Sequence, residues 1–478
     1  MSPSQLPPSS TASKAAHHEE TEETDHFPIV SFVRHKRSRR KGLHLVHPPW
    51  YRNSLLASTG YLEFANAGDF AANVWNQIPV PRHAMILMAI GGPLALMMAA
   101  VAVRDGFLSW QNVRVLRSER QYLKSLRHHC LTASSASTAD TDLVNLIDIR
   151  LGVGFRELGT EFIDRIAMDI FLGIGALLVG TGALMAIWGA NPRVFHASNL
   201  LSGFVGNAFA AAFGLINAIW SAYLVWRFQR HVDAVTSSPA VATFRDRLKL
   251  RFRRFQWHAV ISGTTGLIAG AASMVTARMW WGYVVLIPCM VLQVGCNRFW
   301  RVQLGYDRPL ASPANHTLLQ PASSKESSDT GDDEEHTLLF ESLASTIALY
   351  NALEPLPSPE LDCTSLDTLI QFIVNNDLFD SLCAWLAHDK CVPASLHENI
   401  FRSSPEHNEI SLAPCHLLLV STAEQSTLRD LCRVFLEGAG RKVLLSRERY
   451  LLEMVGYTTL RDAEGVVSSA SSPPPKPL

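Results

Sequence analysis

The sequence predicts an all-α membrane protein, in which a bundle of about five transmembrane helices carries a mostly helical cytosolic C-terminal domain. Residues 166–190 and 200–226 are each long and apolar enough to cross a hydrocarbon layer at about 1.5 Å per residue. Only residues 191–199 separate them, which leaves room for a tight reversal, so the two form a helical hairpin. Lys and Arg are concentrated in the polar stretches on one side of this hairpin, as is typical of cytosolic loops.

The composition changes along the chain and narrows the class of protein. A mean hydropathy of +0.10 over 478 residues averages an apolar middle with polar ends, so several units are expected. The formal net charge of −1 excludes a globally basic protein that binds nucleic acid. The cysteines form no CxxC pair and lack a His pair at zinc-ligand spacing, so we expect no metal or cofactor.

The N-terminal part is polar and is expected to stay outside the hydrocarbon layer. Residues 1–43 are rich in Ser, Pro and acid, and we predict a disordered tail. Within it, the basic run 34–41 (RHKRSRRK) suits a solvated charge cluster, a sorting signal or a patch for anionic lipid. Residues 44–82 mix aromatic with small polar residues and are too polar to span, which predicts an interfacial pre-membrane segment.

Three further apolar stretches surround the hairpin. Residues 83–103 form the first span, kinked at Pro93, and residues 104–165 follow as a basic loop with helical periodicity. After the hairpin comes a second basic loop, residues 227–256. Two weaker apolar segments, 257–277 and 280–296, then form either a second spanning hairpin or a re-entrant pair.

Charge asymmetry predicts the orientation. The two basic loops hold most of the Arg residues near the spans, whereas the opposite connections hold only Arg193 and Arg278. The positive-inside rule therefore places both loops and the C-terminus in the cytosol. Five spans then put the N-terminus on the other side. An acidic stretch at residues 17–26 disfavours a mitochondrial presequence, which leaves an endomembrane or the plasma membrane.

A short motif suggests an internal duplication. Residues 226–233 (WRFQRHVD) and 300–307 (WRVQLGYD) both match WRxQxxxD and both follow an apolar span. The alternative is that Trp–Arg pairs recur because Trp favours the membrane interface and Arg the cytosolic side.

Polar residues inside the spans are the candidate site, because they are costly there. They are Asp169, Asn207, Asn217 and Gln293. For Asp169 we expect an ion pair with Arg165, four residues earlier. The amides are expected either to bond neighbouring helices or to line a polar pathway.

Small residues and one cysteine give further expectations. Gly-rich stretches such as Gly266 with Gly270 (GxxxG) predict close helix packing, inside the protein rather than in a dimer. Cys296, at the cytosolic border of the last span, is a candidate for palmitoylation; a buried thiol is the alternative.

The C-terminal third is predicted to be a separate unit. Residues 311–336 are an acidic, Ser-rich linker, residues 337–462 a mostly helical domain with a strand near 416–420, and residues 463–478 a disordered tail. Gly438 is expected to close a helix. No GxSxG, HExxH or Walker A sequence occurs, so no catalytic residue is assigned.

The stretch HLVHPPWYRNSLLASTGYLEFANAGDF, together with the basic loops, resembles uncharacterised fungal multi-span membrane proteins. That resemblance implies a multi-pass membrane protein and brings no activity, cofactor or site. The leading prediction is a non-enzymatic scaffold that meets protein partners through the C-terminal domain and anionic lipid through the basic loops. A transporter or channel with a pathway between the hairpins comes second, and a lipid-acting enzyme third.

Overall fold

The computed structural model describes residues 29–34, 43–46, 50–52, 59–67, 70–75, 80–132, 138–311, 334–353, 365–401 and 409–470. These residues contain five continuous helical stretches long and apolar enough to cross a membrane, which confirms the all-α class. The stretches are built from α3 (Arg82–Thr132), α4 (Thr138–Thr160) with α5 (Met168–Ala186), α6 (Pro192–Ser198) with α7 (Asn207–Ser237), α8 (Arg245–Thr276) and α9 (Gly282–Phe299).

Wider π-helical turns occur where these helices join or end. Glu161–Ala167 links α4 to α5, Asn199–Gly206 links α6 to α7, and Trp300–Leu304 extends α9. A π turn adds a residue to the turn and so changes which side chains face inward, and such turns recur at functional sites.

The bundle has two chemically different ends. The end where α3 and α7 finish and α8 begins carries the Arg-rich segments, and we call it the basic end. Exposed tryptophans mark both ends. Those toward the basic end are Trp110, Trp226 and Trp257, and those at the opposite end are Trp188, Trp280 and Trp281. The 23 residues from Trp257 to Trp280 correspond to a helical rise of about 35 Å, close to the thickness of a bilayer core.

Glycines let the helices approach closely within the chain. A methyl group on Gly263 would lie 2.6 Å from the Cβ of Ser221, and one on Gly270 would lie 2.8 Å from the Cα of Ala211. The GxxxG face of α8 therefore packs on α7, as predicted.

Two short helices, α1 (Thr59–Asn66) and α2 (Phe70–Val74), pack into the bundle by one face, while Tyr61 and Phe64 on the other face of α1 stay exposed. Leu62 of α1 packs among Met168 and Phe213, and Ala71 of α2 packs against Met88. Tyr51 lies at the basic end of the bundle and Val80 at the other, with α1 and α2 between them.

The interfacial segment predicted for residues 44–82 is therefore wrong for this part. Hydropathy detects helices that face lipid. A broken helix that packs one face against other helices can satisfy its polar groups within the protein and needs no long apolar run.

Two small antiparallel sheets tie the N-terminal part to later segments. β1 (Val30–Arg34) pairs with β2 (Leu43–Leu45) and with β5 (Glu409–Leu412), in the order β2-β1-β5. β3 (Trp50–Tyr51) pairs with β4 (Arg308–Pro309), so that Tyr51 lies opposite Arg308.

This pairing bears on two predictions. Residues 30–34 and residue 43 belong to strands and not to a disordered tail, because Phe32 and Leu43 are buried in the C-terminal core. β1 and β2 also lie beside the C-terminal region, which differs from the expectation of terminal regions at opposite ends, and the side of the membrane on which each terminus lies stays a prediction. The rest of the tail and most of the basic run lie outside the described residues.

The C-terminal region is helical, with β5 as its strand. Its helices are α10 (Glu334–Ala352), α11 (Leu366–Asn375), α12 (Phe379–His388), α13 (Ala394–Ile400), α14 (Pro414–Leu418), α15 (Thr422–Phe435) and α16 (Arg441–Ala470). The strand expected near 416–420 is helix α14. A π turn at Leu436–Gly440 connects α15 to α16, so Gly438 does not end a helix. The described residues omit 312–333, most of the predicted linker.

Helix α16 belongs to the bundle as much as to the C-terminal region. It packs against α4, α7, α8 and α10. Met454 and Tyr457 pack with Ile149 and Val153 of α4, and Val455 joins the aromatic core around Phe252 of α8. The predicted disordered tail from residue 463 begins instead as the last turns of this helix, which reaches Ala470.

Candidate functional site

Charged and polar side chains from six segments are buried together at the basic end, and we call them the ionic network. Its members are Tyr51, Asp105, Glu119, Arg156, Glu157, Glu161, Arg165, Tyr306, Arg308 and Glu453, each less than 9% exposed. Burying a charge is costly unless it is paired and hydrogen-bonded, so the pairing of each member decides whether the site is stable.

Arg308 of β4 bridges two carboxylates. Its guanidinium donates to Glu119 of α3 at 2.9 Å through two nitrogens, and to Glu157 of α4 at 3.0 and 2.6 Å. The backbone N–H of Ala311 also donates to Glu119, at 2.9 Å. Burial alone would lower the pKa of Arg308, but Glu157 and Glu119 raise it well above its usual range, so the side chain stays charged.

Tyr306, two residues after the π turn at Trp300–Leu304, joins α4 to helix α16. Its hydroxyl lies 2.9 Å from both Glu157 and Glu453 and accepts a hydrogen bond from Arg156 at 2.7 Å. Arg156 also forms a bidentate pair with Glu453, at 2.8 and 2.9 Å. Burial raises the pKa of Tyr306 well above its ordinary value, so the hydroxyl keeps its proton and can donate.

Arg165 organises the other half of the network. It pairs with Glu161 in the same π turn at 2.9 Å and with Asp105 of α3 at 3.0 Å. The Tyr51 hydroxyl donates to Glu161 at 3.2 Å. Because the Arg308 guanidinium lies 5.8 Å from the Tyr51 ring, β3 connects the two halves.

The negative and positive charges of the network nearly balance, to within one charge, when the neighbouring Arg251 is counted with its three arginines. Five carboxylates, those of Asp105, Glu119, Glu157, Glu161 and Glu453, face three arginines of the network. Arg251, also buried, donates to the carbonyl oxygens of Gln303 and Leu304 at 3.0 and 2.6 Å and lies 5.7 Å from the Tyr306 ring. Within the described residues no group of three His, Cys, Asp or Glu side chains could hold a metal ion. The arrangement can join segments rigidly, and it presents no nucleophile paired with a base.

The predicted intramembrane amides bond neighbouring helices. Asn217 of α7 and Gln293 of α9 both donate to the carbonyl oxygen of Ser262 on α8, each at 3.1 Å, and Gln293 also donates to Thr265 at 2.8 Å. Asn207 forms a separate contact, donating to the carbonyl of Gly203 at 3.0 Å and lying 3.4 Å from the Thr276 hydroxyl. The structure therefore brings two of the four predicted residues together.

The ion pair predicted for Asp169 does not form, because Arg165 is already paired with Glu161 and Asp105. Asp169 is 6% exposed, and neither of its carboxylate oxygens has a hydrogen-bond partner in the described part of the chain. Cys296 is also buried, at 9% exposure, so acylation of its thiol would require the last span to move.

Sequence reasoning missed the ionic network because it counted Arg156, Arg165 and Arg308 as cytosolic positive charges. One signal could have found it. In FRELGTEFIDR, Glu157, Glu161 and Arg165 recur every fourth residue and so lie on one helix face beside an apolar span.

The two WRxQxxxD motifs lie in different surroundings. Trp226 is 56% exposed, whereas Trp300 is 5% exposed in an aromatic core. The side chain of Gln229 bonds Asp233 and Gln256 (at 2.9 Å each), and that of Gln303 accepts from Arg254 at 3.0 Å. The duplication therefore stays a prediction.

The chain was compared with protein-family models, with curated proteins and with solved structures. None of the three comparisons gives a match.

Proposed function

We propose that this protein is a non-enzymatic membrane scaffold, in which the N-terminal strands and the C-terminal region are held rigidly on a membrane-spanning bundle. The ionic network carries the proposal, because it fastens Tyr51, Arg308 and Glu453, which are far apart in the sequence, to α3, to α4 and to the π turn that follows α4. Removing one partner of a buried pair typically costs about 3–5 kcal/mol. Such a network favours one arrangement of the segments, which is what a platform for protein partners needs.

The proposed orientation places the basic end in the cytosol, with both terminal regions there. The positive-inside rule supports the side of the basic end. The pairing of β1 with β5 supports the shared side of the terminal regions. This orientation also moves Arg34 and the basic run after it to the cytosolic side, where they add to a surface for anionic lipid.

Reporter accessibility tests this orientation. An N-terminal tag and a C-terminal tag on the full chain should both be digested by protease added to sealed vesicles whose cytosolic face is outward. An N-linked glycosylation site inserted between Gly189 and Asn191 should be modified in the lumen. Protection of the N-terminal tag alone would contradict the proposal.

Purification in mild detergent followed by mass spectrometry tests the scaffold function. The wild-type chain should retain at least one companion protein in constant ratio, and Glu453→Gln should lose it because α16 loosens from the bundle. Glu437→Gln, which alters an exposed helix pair with Arg433, is the matched control. A wild-type protein without a stable companion would refute the scaffold.

A transporter is the second candidate, favoured by two carboxyl groups buried between the tryptophan belts. Asp169 has no hydrogen-bond partner in the described residues, and one oxygen of Glu63 on α1 likewise has none. Both side chains are less than 9% exposed. A proton-coupled carrier needs such groups. Proton flux into proteoliposomes that is lost in both Asp169→Asn and Glu63→Gln would favour this candidate over the scaffold.

A further inference from the structure

A cavity of about 300 Å³ opens at the basic end, between α4, α7 and α16. It is separate from the ionic network. Trp226, Arg227 and Arg230 of α7 line one side, and Tyr457 and Arg461 of α16 line another.

The acidic residues around the cavity are already matched to arginines. Asp148 pairs with Arg127 at 2.7 Å and with Arg461 at 3.6 Å, and Glu464 pairs with Arg230 at 2.6 Å. The Arg227 guanidinium has no carboxylate partner within the described residues and donates to the hydroxyl of Tyr223, at 2.6 Å. Positive charge in the cavity is therefore in excess.

Two buried groups in this cavity, the Nε of Arg227 and the hydroxyl of Tyr457, have no hydrogen-bond partner among the described residues apart from the contact between these two side chains. They lie close together, since the Arg227 guanidinium is 5.1 Å from the Tyr457 ring. Burial raises the pKa of Tyr457, so its hydroxyl is protonated and can donate. If Tyr457 accepts from Arg227, its own hydroxyl proton is left without an acceptor, and buried donors without an acceptor are rare because they cost free energy. A ligand with anionic oxygens would supply that acceptor.

The position of the cavity identifies the class of ligand. Trp226, half exposed, belongs to the tryptophan belt at the basic end, and Arg230 lies 5.3 Å from its ring. Tryptophan belts lie at the depth of lipid headgroups. We propose that this cavity binds the phosphate of an anionic glycerophospholipid, which accepts hydrogen bonds from Arg227 and Tyr457.

The excess charge sets the expected selectivity. Three arginines line the cavity (Arg227, Arg230 and Arg461) against two acids (Asp148 and Glu464), a net charge of +1. One phosphate fits this balance. A zwitterionic headgroup would bring an ammonium group against an excess of positive charge and should bind less well.

Lipid titration of the purified full-length chain tests the site. The protein is delipidated in neutral detergent, and binding of dioleoyl phosphatidic acid is followed by native mass spectrometry, beside dioleoyl phosphatidylcholine and inorganic phosphate. One phosphatidic acid should bind per chain, with phosphatidylcholine and free phosphate at least ~10-fold weaker. This assay does not depend on the scaffold function or on the membrane orientation.

Two variants and a control locate the binding. Arg227→Gln should weaken phosphatidic acid binding at least ~10-fold and Tyr457→Phe ~3-fold, because each removes donors to the phosphate. Arg301→Gln, an exposed change at the same end, should have no effect. Tyr457→Phe keeps the ring that packs on Gly152, so it decides the matter if Arg227→Gln does not fold. The proposal would be overturned if Tyr457→Phe bound phosphatidic acid with wild-type affinity, or if phosphatidylcholine bound as tightly as phosphatidic acid. Free phosphate that binds as tightly as the lipid would exclude a lipid as the source of the phosphate.

Discussion

Arg308 separates two buried carboxylates that would otherwise repel each other. It contacts Glu119 and Glu157 through paired N–H donors, the geometry in which Arg binds carboxylates best. Because β4 carries Arg308 while α3 and α4 carry the acids, this one side chain links the segment after the last apolar helix to two earlier helices.

Removing that side chain should be strongly destabilising. We expect Arg308→Met to cost about 3–5 kcal/mol, since it leaves two carboxylates buried without their cation. The apparent melting temperature of the detergent-solubilised chain, followed by size-exclusion chromatography, measures this. Adding Glu119→Gln should recover part of the loss by removing one stranded charge. Arg301→Met, at an exposed position, should leave the melting temperature unchanged, and an equal loss there would refute the argument.

Tyr306 gives the network a pH dependence. Burial raises its pKa well above the ordinary value of 10.0, and Glu157 and Glu453 raise it further, so the folded state holds this proton more tightly than the unfolded state. Its contribution is therefore complete below about pH 10 and is lost as the pH rises through the folded-state pKa. Above about pH 10, the wild-type melting temperature should fall more steeply than that of Tyr306→Phe, whereas below it the two curves should run parallel. Curves that also run parallel above about pH 10 would show that Tyr306 contributes nothing to the slope.

At the scale of single elements, β1 completes the core of the C-terminal region from the other end of the chain. Its Phe32 is fully buried and meets Phe401 edge to face at a centroid distance of 5.4 Å. The neighbouring Val33 alternates outward and is 39% exposed. The alternation means that one strand offers both a test position and its control.

Phe32→Ala should destabilise the C-terminal region by about 3–5 kcal/mol, because it removes a fully buried aromatic ring and leaves a cavity. Limited proteolysis of the full chain measures the effect as faster cleavage between residues 365 and 470. Val33→Ala, in the same strand, should change the cleavage rate little. Equal protection of both variants would mean that β1 is not part of the core in solution.

Considering the whole molecule, the chain's periodicity and hydropathy were enough to predict the five apolar helices, because each has a long apolar run. Periodicity and hydropathy could not predict that α1 and α2 pack one face against the bundle, because their short Ala-rich and Gly-containing turns become favourable only beside other helices. The ionic network depends on long-range pairs such as Arg156 with Glu453, separated by 297 residues. No local pattern specifies such a pair, although the Glu157, Glu161 and Arg165 spacing marks one face of it.

The pairing of β1 with β5 at one end of the bundle can be tested by crosslinking, without a terminal tag. Ser31 of β1 and Ser411 of β5 are register partners, and their hydroxyl oxygens lie 3.2 Å apart. Cysteines there would be near disulfide geometry. In intact membranes, mild oxidation of the Ser31→Cys, Ser411→Cys double variant should produce an internal disulfide crosslink. After cleavage at a protease site engineered between residues 312 and 333, the two fragments should then stay joined until the disulfide is reduced. Each single variant should give none. Failure of the double variant to crosslink would place the two regions apart and remove the shared-side orientation.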